Sequence, residues 1–294
     1  MKLRLSLILL LTTLLAESLS AQLISWRDLI EGDLPQPTER IQYGPDSLQF
    51  GDLWLPEGEP HTTVILIHGG CWLSVYPGVE MMHHMAEALR NEGFAVWNLE
   101  YRRLGHEGGG YPGTFLDTAN GADYLREIAP DYGLNLNRLI ATGHSAGGHL
   151  ATWLAARKNI PDNSALYHEN PINIHGTISL AGINDLARYA NYGSTSCGDK
   201  TVQQLVNVEQ RGEDAFIDTS PVKLLPLGIP HVEIVAAFDA PVPPFFGNHF
   251  INAAKEASDD AILVMQPEAG HFEMITPWSE EWNEVLDHFK SILE

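Results

Sequence analysis

Residues 138–157 read RLIATGHSAGGHLATWLAAR and set a serine, Ser145, among small residues directly after a short apolar run. Gly143-His144-Ser145-Ala146-Gly147 fits G-x-S-x-G, the pattern in which a strand turns sharply into a helix and holds a serine above the sheet edge. Glycine at 143 and 147 suits such a turn, because a side chain at either place would crowd the backbone. Upstream, Arg138 to Thr142 reads as a buried strand; downstream, Leu150, Trp153 and Leu154 recur at helical spacing. An ordinary turn serine rarely has both flanks, so Ser145 is read as a nucleophile.

The same alternation extends outward. TTVILIHGG at 62–70 is a nearly continuous apolar strand ending in His68, Gly69 and Gly70, of the kind buried on both faces of a parallel sheet. Val79 to Asn91 reads as a helix, FAVWNLEY as a strand, and TFLDTANGADYLREIA as helical again. Beyond the nucleophile helix, INIHGTISLAG, HVEIVAAFDA and DDAILVMQPEAGH are strand candidates, FINAAKEA is a helix between the last two, and SEEWNEVLDHFKSIL closes as an amphipathic helix. Strand alternating with helix predicts a parallel sheet covered on both faces. IQYGPDSLQFGDLWLP, from Ile41, predicts a hairpin entering the domain.

A single domain over 40–294 follows, with no repeat and no convincing linker. The polar stretch within 186–220 is a candidate cap, and residues 22–39 suit a leader lying on the surface. Ahead of it, Lys2 and Arg4 precede the apolar run Leu5–Leu15 and the small residues Ser18, Ser20 and Ala21, the layout of a secretory signal peptide over residues 1–21. An exported, periplasmic or secreted protein is expected. The apolar run is too short to span a bilayer comfortably, so no stable membrane insertion is expected.

The formal charge is -21, from 17 basic and 38 acidic residues, which repels nucleic acid and anionic membranes. Two cysteines, Cys71 and Cys197, are not a disulfide framework; export permits a bridge between them, and two independent buried thiols are the alternative. Metal ligation finds no ligand cluster around either. Gly108 to Gly110 lack the Lys-Ser/Thr of a phosphate loop, and His83 and His84, being adjacent, make a poor zinc pair and read as helix-surface residues.

A serine hydroxyl needs a base to take its proton and a third group to orient that base. His271, in the glycine-rich turn after the last strand, is placed to serve as base, whereas His231 begins a strand and His249 lies near a helix start. Asp239 follows the preceding strand and is preferred as the acid over Asp185, one strand earlier, and over Asp259 and Asp260, which precede the last strand and so face the opposite sheet edge. Backbone N–H groups of Ala146, Gly70 and Cys71 are candidate donors to a developing oxyanion. Trp72 is either an acyl-pocket wall or loop packing. Of Arg102 and Arg103, one is expected to pair with a carboxylate and brace this edge.

HGGCW at 68–72, EYRRLG at 100–105 with GGGYPGTFLD behind it, GHSAGGHLA at 143–151, AGINDL at 181–186, SPVKLLPLGIP at 220–230, FDAPVP at 238–243 and AGHFEMI at 269–275 together carry a family resemblance. The chain resembles the alpha/beta-hydrolase superfamily, in the esterase and lipase branch that holds bacterial carboxylesterases, feruloyl-esterase-like enzymes and kynurenine formamidases. The resemblance implies an alpha/beta-hydrolase fold with a mostly parallel sheet of about eight strands. It makes Ser145 the nucleophile, His271 the base, Asp239 the acid, and Gly69, Gly70, Cys71 and Ala146 the oxyanion hole. Beside these, Trp72 and His144 are candidate residues of the substrate pocket. The implied chemistry is two-step acyl transfer on a small-molecule ester or amide, without metal or organic cofactor. Ester hydrolysis is the expected activity. Arylformamidase, acting on N-formylkynurenine, is the alternative, disfavoured because that substrate arises inside cells.

Overall fold

The structure, a computed structural model, describes residues 23–59 and 62–294, so the signal-peptide expectation lies outside the described residues. One eight-stranded sheet organises the chain. A short edge strand β1 (Glu39–Gln42) pairs antiparallel with β2 (Phe50–Trp54), which is the expected hairpin, and β2 pairs antiparallel with β4 (Phe94–Leu99). The remainder, β3 (Thr62–Ile67), β5 (Leu139–His144), β6 (Gly176–Leu180), β7 (His231–Ala236) and β8 (Ala261–Gln266), is parallel, in the order β1-β2-β4-β3-β5-β6-β7-β8.

Burial follows composition. Every residue of β3, β4 and β5 is buried, as strands flanked on both sides and covered on both faces require, while β8 at the far edge leaves Ile262 and Met265 exposed. Helix α1 (His83–Asn91) packs on β4, and α2 (Gly113–Asp123) and α3 (Leu125–Tyr132) meet at Tyr124. Helix α4 (Ala146–Ala156) is buried along its whole length against β3, β5 and β6. Its composition explains this: apart from His149, whose two ring nitrogens are both hydrogen-bonded, it is apolar or small on all sides, as a helix at the centre of a large core must be.

The region expected as a cap holds α5 (Leu186–Tyr192), α6 (Thr201–Leu205) and the single turn α7 (Val208–Arg211), with 3-10 turns after α5 and after α7. Helix α8 (Phe245–Glu256) packs on β7 and β8, and α9 (Trp282–Ser291) closes the chain, Phe289 meeting Phe94 edge-on. Among the described residues no helix is long and apolar enough to cross a membrane.

Two expectations are corrected. Residues 22–39 do not merely lie on the surface: Leu29 is fully buried in the core and Trp26 reaches a cleft described below. His83 is likewise buried, because its ring sits between the Pro35 carbonyl (3.1 Å) and the Asp52 carboxylate (3.3 Å). Asp52 also takes a bidentate contact from Arg40, so the histidine belongs to a polar brace under the hairpin.

Candidate active site

The sheet register puts the carboxyl ends of β3 and β5 side by side, with Ile67 opposite Gly143. Ser145 follows two residues later, 2 % exposed, at φ 56° and ψ -116°. A side chain in the left-handed region is costly and persists only where the surroundings hold it. Here the Ser145 N–H donates to the Leu180 carbonyl (2.8 Å), tying the turn to β6. The flanking glycines are required by close backbone crossings. A Cβ at Gly147 would lie 2.1 Å from the Ile67 oxygen and 2.5 Å from that of His68, and one at Gly143 would lie 2.3 Å from the Gly147 oxygen. Ala146 opens α4, so its N–H has no acceptor within the helix and is available at the serine.

Asp239 lies in the loop after β7 and His271 in the loop after β8, at the same sheet edge. His271 Nδ1 is 2.6 Å from Asp239 Oδ2, while Asp239 Oδ1 accepts the Val242 N–H at 2.7 Å. The carboxylate is therefore held at both oxygens and the imidazole is turned by it.

The turn after β3 is braced from below. His68 Nε2 lies 3.0 Å from Glu100 Oε1 and its Nδ1 is 2.8 Å from the Gly69 carbonyl oxygen; its ring stacks on Tyr101, whose hydroxyl donates to the His68 carbonyl. Burial alone would raise the Glu100 carboxyl, but His68 and Arg103 outweigh it and hold it below the usual range. Arg103 also donates to the Tyr76 and Pro77 carbonyls, and Arg102 pairs with Asp117 at 2.7 Å, so both arginines brace this edge where one was expected. Above the brace, Gly70, Cys71 and Trp72 all have positive φ. Gly69 lies against the serine: a Cβ there would be 3.4 Å from Ser145 Cβ.

These elements enclose a cleft of about 160 Å³ lined by Gly70, Cys71, His144, Ser145 and His271 together with Trp26, Tyr76, Met81, Ser196, Pro241 and Phe272. Gly69 and Ala146 are not among the lining residues. Trp72 is not a wall: it is fully buried, its Nε1–H donating to His149 Nδ1 at 3.2 Å, so it packs the loop. His144 does reach the cleft, and its Nε2 lies 2.8 Å from the His271 carbonyl oxygen. Burial, then the nearby His271, hold the His144 imidazole well below the ordinary histidine range, so it is a neutral donor to that carbonyl. Cys71 and Cys197 are bonded to each other, which ties the turn to the segment between α5 and α6.

The competing residues pair elsewhere. His249 lies 3.0 Å from Asp185, which caps α5, and His231 lies 3.3 Å from Glu233 inside β7. Asp259 accepts the Leu227 and Gly228 N–H groups. None of these lines the cleft. Sequence reading missed Trp26, Tyr76, Met81, Ser196, Pro241 and Phe272; Pro241 and Phe272 lie within two residues of Asp239 and His271, and no local pattern marks the other four.

Residues 52–244, well over half of the 294, match the BD-FAE family profile. The chain belongs to the BD-FAE family. The matched segment holds Ser145 and Asp239 and ends before His271. Esterase LipC of Mycobacterium tuberculosis is 22 % identical to this BD-FAE chain over 246 residues, covering 79 % of it but only 59 % of LipC. Esterase B of Lactobacillus rhamnosis superposes with a TM-score of 0.73 at 20 % identity, over 89 % of this chain and 88 % of that one. An esterase of Thermogutta terrifontis gives 0.67 at 18 %, over 87 % and 91 %. The fold is that of the alpha/beta-hydrolases.

Proposed function

We propose that this BD-FAE chain is a serine carboxylesterase. The observation that carries the reading is the single cleft onto which Ser145 and His271 both open, with Asp239 bound to the far side of the imidazole at 2.6 Å. In this reading Ser145 Oγ attacks the ester carbonyl carbon. His271 Nε2 takes the hydroxyl proton, because the bond to Asp239 keeps the hydrogen on Nδ1 and leaves Nε2 free as base. The oxyanion accepts N–H groups from Ala146 and from the turn at Gly70 and Cys71, each donor contributing about 3 kcal/mol to transition-state stabilisation. Collapse expels the alcohol with a proton from His271, and water then releases the acid by the same route in reverse. No step calls for a metal or organic cofactor.

Relatives named as esterases support ester over amide chemistry; none of those described above is named for formamide hydrolysis. An exported site of action is supported by the signal-like sequence and by the disulfide, which suits an oxidising compartment. The test is hydrolysis of p-nitrophenyl acetate and butyrate beside N-formylkynurenine, with the unaltered protein and Ser145→Ala. Ester turnover that exceeds formamide turnover and vanishes in Ser145→Ala is expected. Formamide turnover in excess would replace the proposal with the arylformamidase reading.

A further inference from the structure

The N-terminal segment of the described chain is fastened to the loop that carries His271. The Ile24 N–H donates to Glu273 Oε1 at 2.7 Å, and the other oxygen of the same carboxylate accepts the Gly270 N–H at 2.9 Å. Glu273 is 6 % exposed, so one buried side chain joins the segment's start to the residue before His271. Leu23 packs on the same turn, its methyls 3.1 and 3.3 Å from where a Cβ of Gly270 would stand. Ser25 and Asp28 bond each other and close a tight turn, Leu29 is plugged into the core, and between these anchors Trp26 meets Tyr76 edge-on at 6.2 Å and lines the cleft. Held at both ends, the segment cannot leave the cleft without breaking the Glu273 contacts or exposing Leu29. It also lies ahead of the segment matched by the family, which begins at Asp52.

We propose that residues 23–30 are a strap that completes the acyl-binding pocket, that Trp26 limits the size of the acyl group, and that Glu273 is the positioning residue that holds the strap. The proposal rests on the esterase reading above. The cleft measures about 160 Å³ and its lining is chiefly apolar, with Trp26, Tyr76, Met81, Pro241 and Phe272. An apolar cavity of about 150 Å³ holds a ligand the size of benzene, about six carbon atoms. On this proposal the acyl group accommodated is short, and a longer chain meets the indole. Removing the indole extends the pocket along the strap; weakening the Glu273 clamp lets strap and indole move together and loosens the loop that presents His271.

The experiment compares kcat and KM on p-nitrophenyl acetate, butyrate and octanoate for the unaltered protein, Trp26→Ala, Trp26→Phe, Trp26→Leu and Glu273→Gln, each checked for a cooperative melt. An apolar pocket discriminates about tenfold or more per methylene. Trp26→Ala is expected to raise the octanoate-to-acetate ratio of kcat/KM by at least about tenfold. Trp26→Phe retains the original order of substrates, and Trp26→Leu gives an intermediate ratio, which carries the test if the alanine form does not fold. Glu273→Gln, left with one acceptor oxygen for two N–H groups, shifts the ratio in the same direction and lowers kcat on acetate. Unchanged ratios in Trp26→Ala and Trp26→Leu, with turnover that still needs Ser145, overturn the strap and leave the esterase standing. Absence of Ser145-dependent turnover in the unaltered protein overturns both.

Discussion

Cys71, in the turn that faces Ser145, is bonded to Cys197, 126 residues further along the chain. The bond links two things that sequence keeps apart: a backbone N–H proposed to receive the oxyanion, and the segment that supplies Ser196 to the cleft. Cys71 and Trp72 both sit at φ 54°, a conformation that side chains other than glycine hold only under constraint.

Breaking the link is expected to cost both stability and rate. Closing a loop of this length constrains the unfolded chain by about 5 kcal/mol in the chain-entropy account, and losses of about 2–5 kcal/mol are usual. Cys197→Ala should melt earlier and lose kcat rather than raise KM, by up to the roughly 100- to 1,000-fold that one oxyanion donor contributes. Cys71→Gly in the Cys197→Ala background should recover part of kcat, because glycine takes the positive φ freely. Melts and ester kinetics of the three forms decide it; equal kcat in Cys197→Ala and the unaltered protein would confine the bridge to stability.

Acid should destabilise the fold through His149. This imidazole accepts the Trp72 N–H at Nδ1 and donates from Nε2 to the Thr219 carbonyl, so a second ring proton would oppose an N–H to an N–H. Burial, the largest cause, pushes it down from 6.5 to about 4, against a smaller opposing effect of the Thr219 bond. Between those values the unfolded chain binds the proton and the folded one does not, so stability falls as pH drops from about 6.5 towards 4 and levels off below. The span amounts to about 3 kcal/mol. Urea titrations across this range should show a shallower slope in His149→Gln than in the unaltered protein; identical slopes would reject the assignment.

Gly147→Ala should be poorly tolerated although the residue lies at the start of a helix, where alanine is ordinarily favoured. The added methyl would meet the Ile67 and His68 carbonyl oxygens, backbone atoms that cannot swing aside. A loss of about 1–3 kcal/mol or more is expected from overpacking, together with loss of ester turnover as the turn shifts under Ser145. Thermal melts would show it, and a melt unchanged within error would mean the crossing relaxes.

Much of this was legible in the sequence, and the reasons are local. The strands β3, β4 and β5 each carry a run of three or more apolar residues at strand length, and the glycines around Ser145 mark a turn no other residue fits. Chain order together with the sheet edge on which each loop falls favoured Asp239 and His271 over Asp185, Asp259 and Asp260, and the fold sets the two side chains 2.6 Å apart. What escaped depends on contacts across long separations. Ile24 meets Glu273 across 249 positions, and nothing near Trp26 marks it as a wall of the cleft. The Cys71–Cys197 pairing was one of two open readings for the same reason. Trp72 could not be assigned because the left-handed turn at that residue, invisible in the residue string, aims its indole at His149 and away from the cleft.

The most direct test of the account is covalent. A p-nitrophenyl alkylphosphonate offered to the purified protein should release one equivalent of p-nitrophenol and leave its phosphonyl group on Ser145, identified by tandem mass spectrometry of the peptide spanning 139–157. The adduct should be lost in Ser145→Ala and form far more slowly in His271→Ala. Labelling at another residue, or ester hydrolysis that persists undiminished in Ser145→Ala, would contradict the assignment of Ser145 as nucleophile.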